Sequence, residues 1–219
     1  GADQKLINSL AEQLQLEPSE IYHIDGPLDL TALMAWHGLA GYDHLRDAPF
    51  TPRRPSDLPE GADIFAAIRK RDILLHHPYE SFGCVVDFVD QAAKDPNVLA
   101  IKQTLYRTGS ESPIVRALMS AAEAGKNVTA VVELKARFDE RANVTWARQM
   151  EQAGVHVVYG FLDLKTHCKI TLVVRREGNK LRRYVHLGTG NYNATTAKIY
   201  TDLGLFPCRQ KYGEDATAL

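Results

Sequence analysis

Residues 98–134, VLAIKQTLYRTGSESPIVRALMSAAEAGKNVTAVVEL, decide the fold of this chain. Val98–Tyr106 has the pattern of a strand. Ser112-Pro113 is a typical helix start, with serine as the N-cap and proline at the first helical position, and Gly125 ends the predicted helix. Val128–Leu134 predicts the next strand. A strand–helix–strand unit of this kind indicates an α/β fold.

The same alternation continues toward the C-terminus. Asp139–Ala153 predicts a second helix, which ends at Gly154. Three more strands are predicted, at Val155–Tyr159, His167–Val174 and Arg183–Leu187. Strands that alternate with helices favour an α/β sandwich with a largely parallel central sheet.

The N-terminal part has a different character. Leu6, Leu10, Leu14 and Leu16 form an apolar stripe, but one or two helices cannot enclose a core. We therefore expect residues 1–60 to be the C-terminal remnant of a preceding domain and a proline-rich linker. We expect residues 61–219 to form the domain that contains this sheet and carries His167 and Lys169.

Composition narrows the class of protein. The 219 residues are 45% hydrophobic and 24% charged, as in ordinary globular proteins. No apolar run approaches the length of a membrane span, which predicts no stable membrane insertion. The three cysteines are far apart and lack C-x-x-C spacing. This argues for a reducing cytoplasm and against a disulfide framework or a structural zinc site.

Charge is distributed unevenly along the chain. Residues 1–65 carry 11 acidic and 4 basic side chains, whereas residues 66–219 carry 16 acidic and 22 basic ones. Residues 165–183 contain seven Lys or Arg and a single acid, Glu177. Such a stretch could collect a polyanion such as a phosphate chain or nucleic acid. A solvated hairpin with its turn at Glu177-Gly178-Asn179 is the favoured alternative for five of these residues, Arg175, Arg176, Lys180, Arg182 and Arg183. Lys165 and Lys169 lie close to His167 and are better candidates for ligand contact.

His167 and Lys169 are the main candidates for chemistry. Residues i and i+2 of a strand point to one side of the sheet, so both side chains could face one phosphoryl group. The imidazole would attack phosphorus and the ammonium would hold its oxygens. Gly188-Thr189-Gly190-Asn191 could add backbone N–H donors from a tight turn. A structural strand histidine beside a solvated lysine is the alternative, and the glycine turn favours chemistry.

Two arginines are expected to join this pair. Ligands of such sheets bind beyond the carboxyl ends of the strands. Arg107 follows the first strand, Arg137 follows the second, and the loop leading to His167 follows the third. Two guanidinium groups at this rim suit phosphate oxygens and phosphoryl transfer.

With these residues assembled, the chain resembles the central part of a type 1 polyphosphate kinase. This family belongs to the phospholipase D-like superfamily and makes polyphosphate reversibly from ATP. The matching stretches span nearly the whole chain. They are Gly26–Leu30, His76–Phe82 (HHPYESF), Ile101–Arg107 (IKQTLYR), Glu133–Asn143 (ELKARFDERAN), Lys165–Lys169 and Val185–Asp202 (VHLGTGNYNATTAKIYTD).

The resemblance implies a phosphohistidine on His167, with ATP, ADP and polyphosphate rather than nucleic acid as partners. It associates Arg107 and Arg137 with magnesium (Mg2+). A guanidinium has no free lone pair, so we expect this contact to run through phosphate or water. Tyr200 matches a nucleotide-contacting tyrosine, for which stacking on adenine is a reasonable role. A homo-oligomeric, cytoplasmic parent, compatible with peripheral membrane association, is also implied.

Two departures from the family patterns bear on activity. The superfamily aspartate five residues beyond the lysine is replaced by Val174, which argues against a diesterase. The family's second histidine-bearing domain is not in this sequence, so we expect a fragment. The isolated chain could therefore be an inactive polyanion-binding domain rather than a complete enzyme.

The roles of the other histidines are open at this level. His186 precedes the glycine turn and could brace it or touch phosphate. His76 and His77 precede Pro78 and are candidates for a supporting position near the strand rim. His156 looks structural.

Overall fold

The computed structural model describes residues 2–26, 29–48, 50–109, 112–133, 136, 140–160 and 164–219, and at positions 140 and 142 the backbone alone. The chain divides into two compact units, Gly1–Phe50 and Thr51–Leu219. The division falls within the proline-rich segment 47–61. Within the described part of the chain, every helix is too short or too polar to span a bilayer.

The first unit contains helices α1 (Gln4–Leu14) and α2 (Leu33–His37). The carboxylate of Asp3 caps α1 by accepting a hydrogen bond from the backbone N–H of Lys5 at 2.8 Å. Neither helix buries a side chain. Three leucines of the predicted stripe, Leu6, Leu10 and Leu14, lie on α1, and all four stay largely exposed, as expected of a unit too small to enclose a core.

The second unit is a seven-stranded sheet with helices. Its strands are β1 (Ile73–His77), β2 (Val98–Leu105), β3 (Asn127–Val132), β4 (His156–Tyr159), β5 (Lys169–Glu177), β6 (Lys180–Gly188) and β7 (Asp202–Phe206). Its helices are α3 (Ile64–Lys70), α4 (Gly83–Lys94), α5 (Pro113–Glu123), α6 (Glu140–Gln152) and α7 (Gln210–Ala218). The α/β class predicted from the sequence is confirmed.

The strand order is β1-β7-β6-β5-β2-β3-β4, and the sheet is mixed. Parallel pairing is found for β2 with β3 and for β3 with β4, the strands that α5 and α6 connect. The other four pairings are antiparallel. The predicted parallel character therefore applies to the β2–β3–β4 part of the sheet.

Local connections explain this division. Ser112 caps α5 by accepting from the backbone N–H of Val115 at 3.3 Å, and Pro113 occupies the first turn as predicted. A crossover helix of this kind permits a parallel neighbour. In contrast, Gly178-Asn179 joins β5 to β6, and a two-residue loop permits only antiparallel strands. Gly178 supplies the positive φ, 58°, that this turn requires.

The core lies between one face of the sheet and helices α3, α4 and α5. Phe88 on α4 is at its centre, fully buried and in edge contact with Phe206 on β7 at 5.3 Å between ring centroids. Phe65 on α3 contacts both Phe88 and Tyr184 on β6. On the opposite face, α7 places Ala216 against β5 and β6.

Residues 51–60, where the sequence suggested a linker, pack on the second unit. The backbone N–H of Arg53 donates to Tyr79 O at 2.9 Å, and that of Ser81 donates to Arg53 O at 2.8 Å. Leu58 is 2% exposed and belongs to the core. Proline fixes the backbone of this segment but leaves its apolar side chains free to pack.

The basic residues of the β5–β6 hairpin are partly neutralised within the protein. Glu177 is the centre of a charge cluster and accepts from Arg69 at 3.3 Å, Arg175 at 3.2 Å and Arg182 at 2.8 Å. Arg175 also donates to Asp95 at 2.7 Å. The hairpin predicted from the turn residues is confirmed, and two of its arginines serve ion pairs.

Replacing Phe88 with alanine should lower the free energy of unfolding by about 3–5 kcal/mol, because the surrounding rings cannot close the cavity completely. Denaturant unfolding followed by circular dichroism measures this change. Leu74→Ala on β1 is the control, since Leu74 is 59% exposed and should change the free energy by no more than about 0.5 kcal/mol. Equal losses in the two variants would contradict this description of the core.

Candidate active site

A pocket of about 250 Å³ opens at one edge of the sheet. Strands β1, β2 and β6 end at this edge, whereas β5 and β7 begin there, so five strands contribute side chains. Its lining includes most of the residues singled out from the sequence. These are Arg107, His167, Lys169, Gly188, Gly190, Asn191 and Tyr200, together with His77 and His186. Asp202, which was not singled out, also lines the pocket.

His167 and Lys169 do not share a strand as the sequence suggested. Strand β5 begins at Lys169, which pairs with Gly188, the last residue of β6. The ladder ends there, so His167 lies in the preceding segment and is exposed, while Lys169 is 6% exposed. The Lys169 ammonium donates to the backbone carbonyl of His167 at 2.5 Å. The two residues therefore meet in the pocket through this contact.

Tyr106 supports both of these side chains. Its ring lies 5.0 Å from the His167 ring in an edge-to-face arrangement. The Lys169 ammonium lies 5.2 Å from the centre of the same ring, and the Arg107 guanidinium lies 5.5 Å from it. A tyrosine face is an electron-rich surface, and it gathers the two cations beside the imidazole.

The surroundings favour the neutral form of His167. Partial burial lowers the pKa of its imidazole, and the positive charges of Lys169, Lys165 and Arg107 lower that pKa further. Burial also lowers the pKa of the Lys169 ammonium. A neutral imidazole keeps the lone pair that a nucleophile needs.

The glycine turn is held in place by Asp202. The Thr189 hydroxyl donates to the Asp202 carboxylate at 2.8 Å, and the Thr189 backbone N–H donates to Leu203 O at 3.0 Å. The Thr189 amide is thus used in holding the turn. Gly190 packs directly against the Asp202 carboxylate, where any side chain would collide. The turn is therefore fixed, and it presents Asn191 to the pocket.

Three polar atoms in the pocket wall are buried and lack a hydrogen-bond partner within the described structure. They are Arg107 Nε, His186 Nε2 and Asn191 Oδ1. An unpaired buried polar atom costs about 1–3 kcal/mol. Three such atoms around one pocket indicate a site arranged for a polar ligand.

Tyr200 lies on the rim, with 60% of its surface exposed, so its ring is free to receive a planar group. His77 and His186 lie within the pocket wall, while His76 is exposed and contacts the ring of Tyr79. His156 lies on β4, away from the pocket. Arg137 lies outside the described residues.

Glu133, which no pattern in the sequence singles out, holds the segment before His167. It is 3% exposed, and its carboxylate accepts from the backbone N–H of Thr166 at 2.8 Å. The Asn143 amide donates to Glu133 O at 2.9 Å and to Tyr106 O at 2.6 Å, which ties β2 and β3 together at the pocket edge. Glu133 and Asp202 both lie inside stretches noted above, but nothing local in their surroundings marks them.

The described residues of the pocket do not form a metal-binding site by themselves. No group of three or more His, Cys, Asp or Glu side chains among them is arranged to hold a metal ion. Asp202 is the carboxylate in the wall, and one of its oxygens already accepts from Thr189. These residues do not fit a directly ligated magnesium ion, which prefers several oxygen ligands.

Comparison with known proteins gives consistent matches. Residues 63–219 match the family model described as polyphosphate kinase C-terminal domain 1. The chain is 56% identical to a polyphosphate kinase from Bacillus anthracis over 217 residues, covering 98% of this chain and 31% of that protein. For the polyphosphate kinase of Mycolicibacterium gilvum, identity is 53% over 220 residues, covering 99% and 30%. The chain thus spans about a third of the length of these relatives.

Solved structures show the same relationship. The crystal structure of polyphosphate kinase from Porphyromonas gingivalis superimposes with a TM-score of 0.74 at 32% identity, covering 95% of this chain and 34% of that one. Nuc from Salmonella typhimurium, a phospholipase D family member, gives a TM-score of 0.53 at 17% identity, covering 68% and 90%. The second match concerns the fold alone, and it bears out the predicted phospholipase D-like architecture.

Replacing Lys169 with methionine should raise the pKa of His167, because a nearby positive charge is removed. An NMR titration of the histidine side-chain signals measures this pKa. Lys180→Met is the matched control: Lys180 lies at the far end of the β5–β6 hairpin and should leave the pKa of His167 unchanged. A lower pKa in Lys169→Met would contradict the charge arrangement described.

Proposed function

Because the chain belongs to the polyphosphate kinase family, we propose that it carries the histidine nucleophile for reversible phosphoryl transfer between ATP and polyphosphate. The observation that supports this most directly is the single pocket shared by His167, Lys169, Arg107 and the Gly188–Asn191 turn. Its clustered cations, and the unpaired Nε of Arg107 as a donor, suit a phosphate ligand.

In the first step, His167 attacks the γ-phosphorus of ATP in line with the bond to the β-phosphate. A nitrogen–phosphorus bond forms, and ADP leaves with the electron pair of the broken phosphorus–oxygen bond. The lowered pKa of His167 supports this role, since the neutral imidazole is the attacking form. Lys169 and Arg107 offset the charge on the transferring oxygens.

In the second step, a terminal oxygen of polyphosphate attacks the phosphohistidine, and His167 leaves as the neutral imidazole. The same contacts serve this step, because the phosphoryl group and its oxygens occupy the same place. The reverse sequence makes ATP from ADP and polyphosphate. The exposed ring of Tyr200 at the rim supports a role in stacking on adenine.

Magnesium fits this proposal as the partner of the nucleotide rather than as a resident ion. The described wall supplies cations and a single carboxylate, so we expect Mg2+ to be held by phosphate oxygens. Arg107 would contact those phosphates, and Arg137 is proposed for the same role from the sequence. We also propose that the parent protein is cytoplasmic and homo-oligomeric.

Incubating the chain with γ-³²P-ATP and magnesium should label it with an acid-labile, base-stable phosphate, and His167→Ala should abolish that label. His156→Ala is the control, since His156 lies on β4 outside the pocket and should leave labelling intact. Binding of polyphosphate without any label in the folded chain would instead favour a polyanion-binding half-site that needs further domains.

The pH dependence of labelling provides a separate check. Since the pKa of His167 lies below its usual value of 6.5, the imidazole stays neutral at pH 7 and the labelling rate should fall only at more acidic pH. Lys165→Met should move this acidic limb to higher pH, because removal of a nearby charge raises the pKa. A rate without an acidic limb would contradict nucleophilic attack by His167.

A further inference from the structure

His77 and His186 lie in the pocket wall without a role in the steps above, and their protonation can be worked out from their partners. His77 is the last residue of β1 and is 4% exposed. Its Nδ1 lies 2.7 Å from the backbone carbonyl of Glu80. A carbonyl oxygen can only accept, so Nδ1 carries the proton. In the neutral ring, Nε2 therefore has a lone pair.

The hydrogen bonds around His186 also place the proton of its neutral ring on Nδ1. The Gln103 amide donates to Thr104 O at 3.0 Å, which leaves its oxygen to accept from the Thr171 hydroxyl at 2.7 Å. The single Thr171 proton is then used, so the Tyr192 hydroxyl, 3.0 Å away, donates to Thr171. His186 Nδ1 lies 2.8 Å from that hydroxyl and must donate to it. Its Nε2 therefore carries a lone pair, which has no hydrogen-bond partner among the described residues.

Both Nε2 atoms lie close to Gly204. This residue lies on β7 between β1 and β6, opposite Leu75 on one side and Gly188 on the other. A Cβ atom at position 204 would lie 2.9 Å from His186 Nε2 and 3.3 Å from His77 Nε2. Glycine at this position therefore leaves room for both acceptors on one side of β7, and neither has a hydrogen-bond donor among the described residues.

Burial opposes a proton on His186 in the free protein. Lys169 on β5 and Arg107 after β2 line the same pocket, while Asp202 on β7 contributes the opposing charge. Tyr192 and the turn at Glu80 complete the surroundings. Burial, followed by the neighbouring His77, lowers the pKa of His186 to about 3. An anionic phosphate in the pocket would favour a protonated imidazole beside it, since opposite charges attract.

We propose that His77 and His186 form a proton-binding pair, in which Nε2 of His77 takes up one proton from solvent when a phosphate group enters the pocket. His77 carries the proton and directs it toward the lone pair of His186 and the phosphate oxygens. No other bond forms or breaks. The identity of the phosphate ligand, ATP, rests on the proposed function, whereas the pairing rests on the geometry around Gly204.

The number of protons that the chain takes up when ATP binds tests this pair. Calorimetric titration of the chain with ATP and magnesium at pH 8, in buffers of different ionisation enthalpy, should show uptake of about one proton per ATP. By linkage, the Kd for ATP should then rise about tenfold per pH unit above this pH. His77→Gln keeps a polar group near the Nε2 position but cannot ionise, so its proton uptake should fall to about zero. His76→Gln, the exposed neighbour, should retain the full uptake.

Nitrogen NMR of the histidine-labelled chain tests the starting state independently of ATP. His77 and His186 should both be neutral with the proton on Nδ1, and ATP should convert His77 to the doubly protonated form. A free His186 protonated on Nε2, or ATP binding without proton uptake, would overturn the pair while leaving the proposed function intact. If ATP does not bind, the proposed function fails, and the same measurements with inorganic phosphate decide the pair.

Discussion

The pairing of Lys169 with Gly188, and of Gly188 with Gly204, is the constraint on which the pocket depends. Paired residues of adjacent strands share a face, so this row places one lysine and two glycines side by side across β5, β6 and β7. A side chain at Gly204 would fill the space between His77 and His186. Gly188 lines the pocket directly, and Gly204 leaves the space beside its two wall histidines unfilled.

The pocket combines cations with neutral imidazoles, and the two depend on each other. Burial and neighbouring positive charge both disfavour a protonated imidazole, so the cations that would hold a phosphate also keep His167 in its nucleophilic form. His186 is also kept neutral, but there burial is the main cause and the neighbouring His77 the second. One arrangement of charges therefore serves both ligand binding and activation of the nucleophile.

Local signals in the sequence predicted the β2–β3–β4 part of the sheet well, because helix caps and glycine stops act over a few residues. The antiparallel part was harder: β1 and β7 have five residues each, and their pairing depends on residues far apart in the chain. The residues of the site divide in the same way into those that could and those that could not be predicted from the sequence. Arg107 and His167 could be placed together from strand ends alone, whereas the convergence of His77, His186 and Asp202 requires the antiparallel register.

Phe206 connects the stability of the fold to the pocket, because its ring touches Phe88 in the core and lies 4.6 Å from the ring of His186. Core and pocket occupy the same face of the sheet, with no intervening layer between these rings. Substitutions that repack the core around Phe88 will therefore also shift an imidazole in the pocket wall. Evolution of thermal tolerance in this domain is constrained at these positions, and stabilising changes should accumulate more readily around α7, on the opposite face of the sheet.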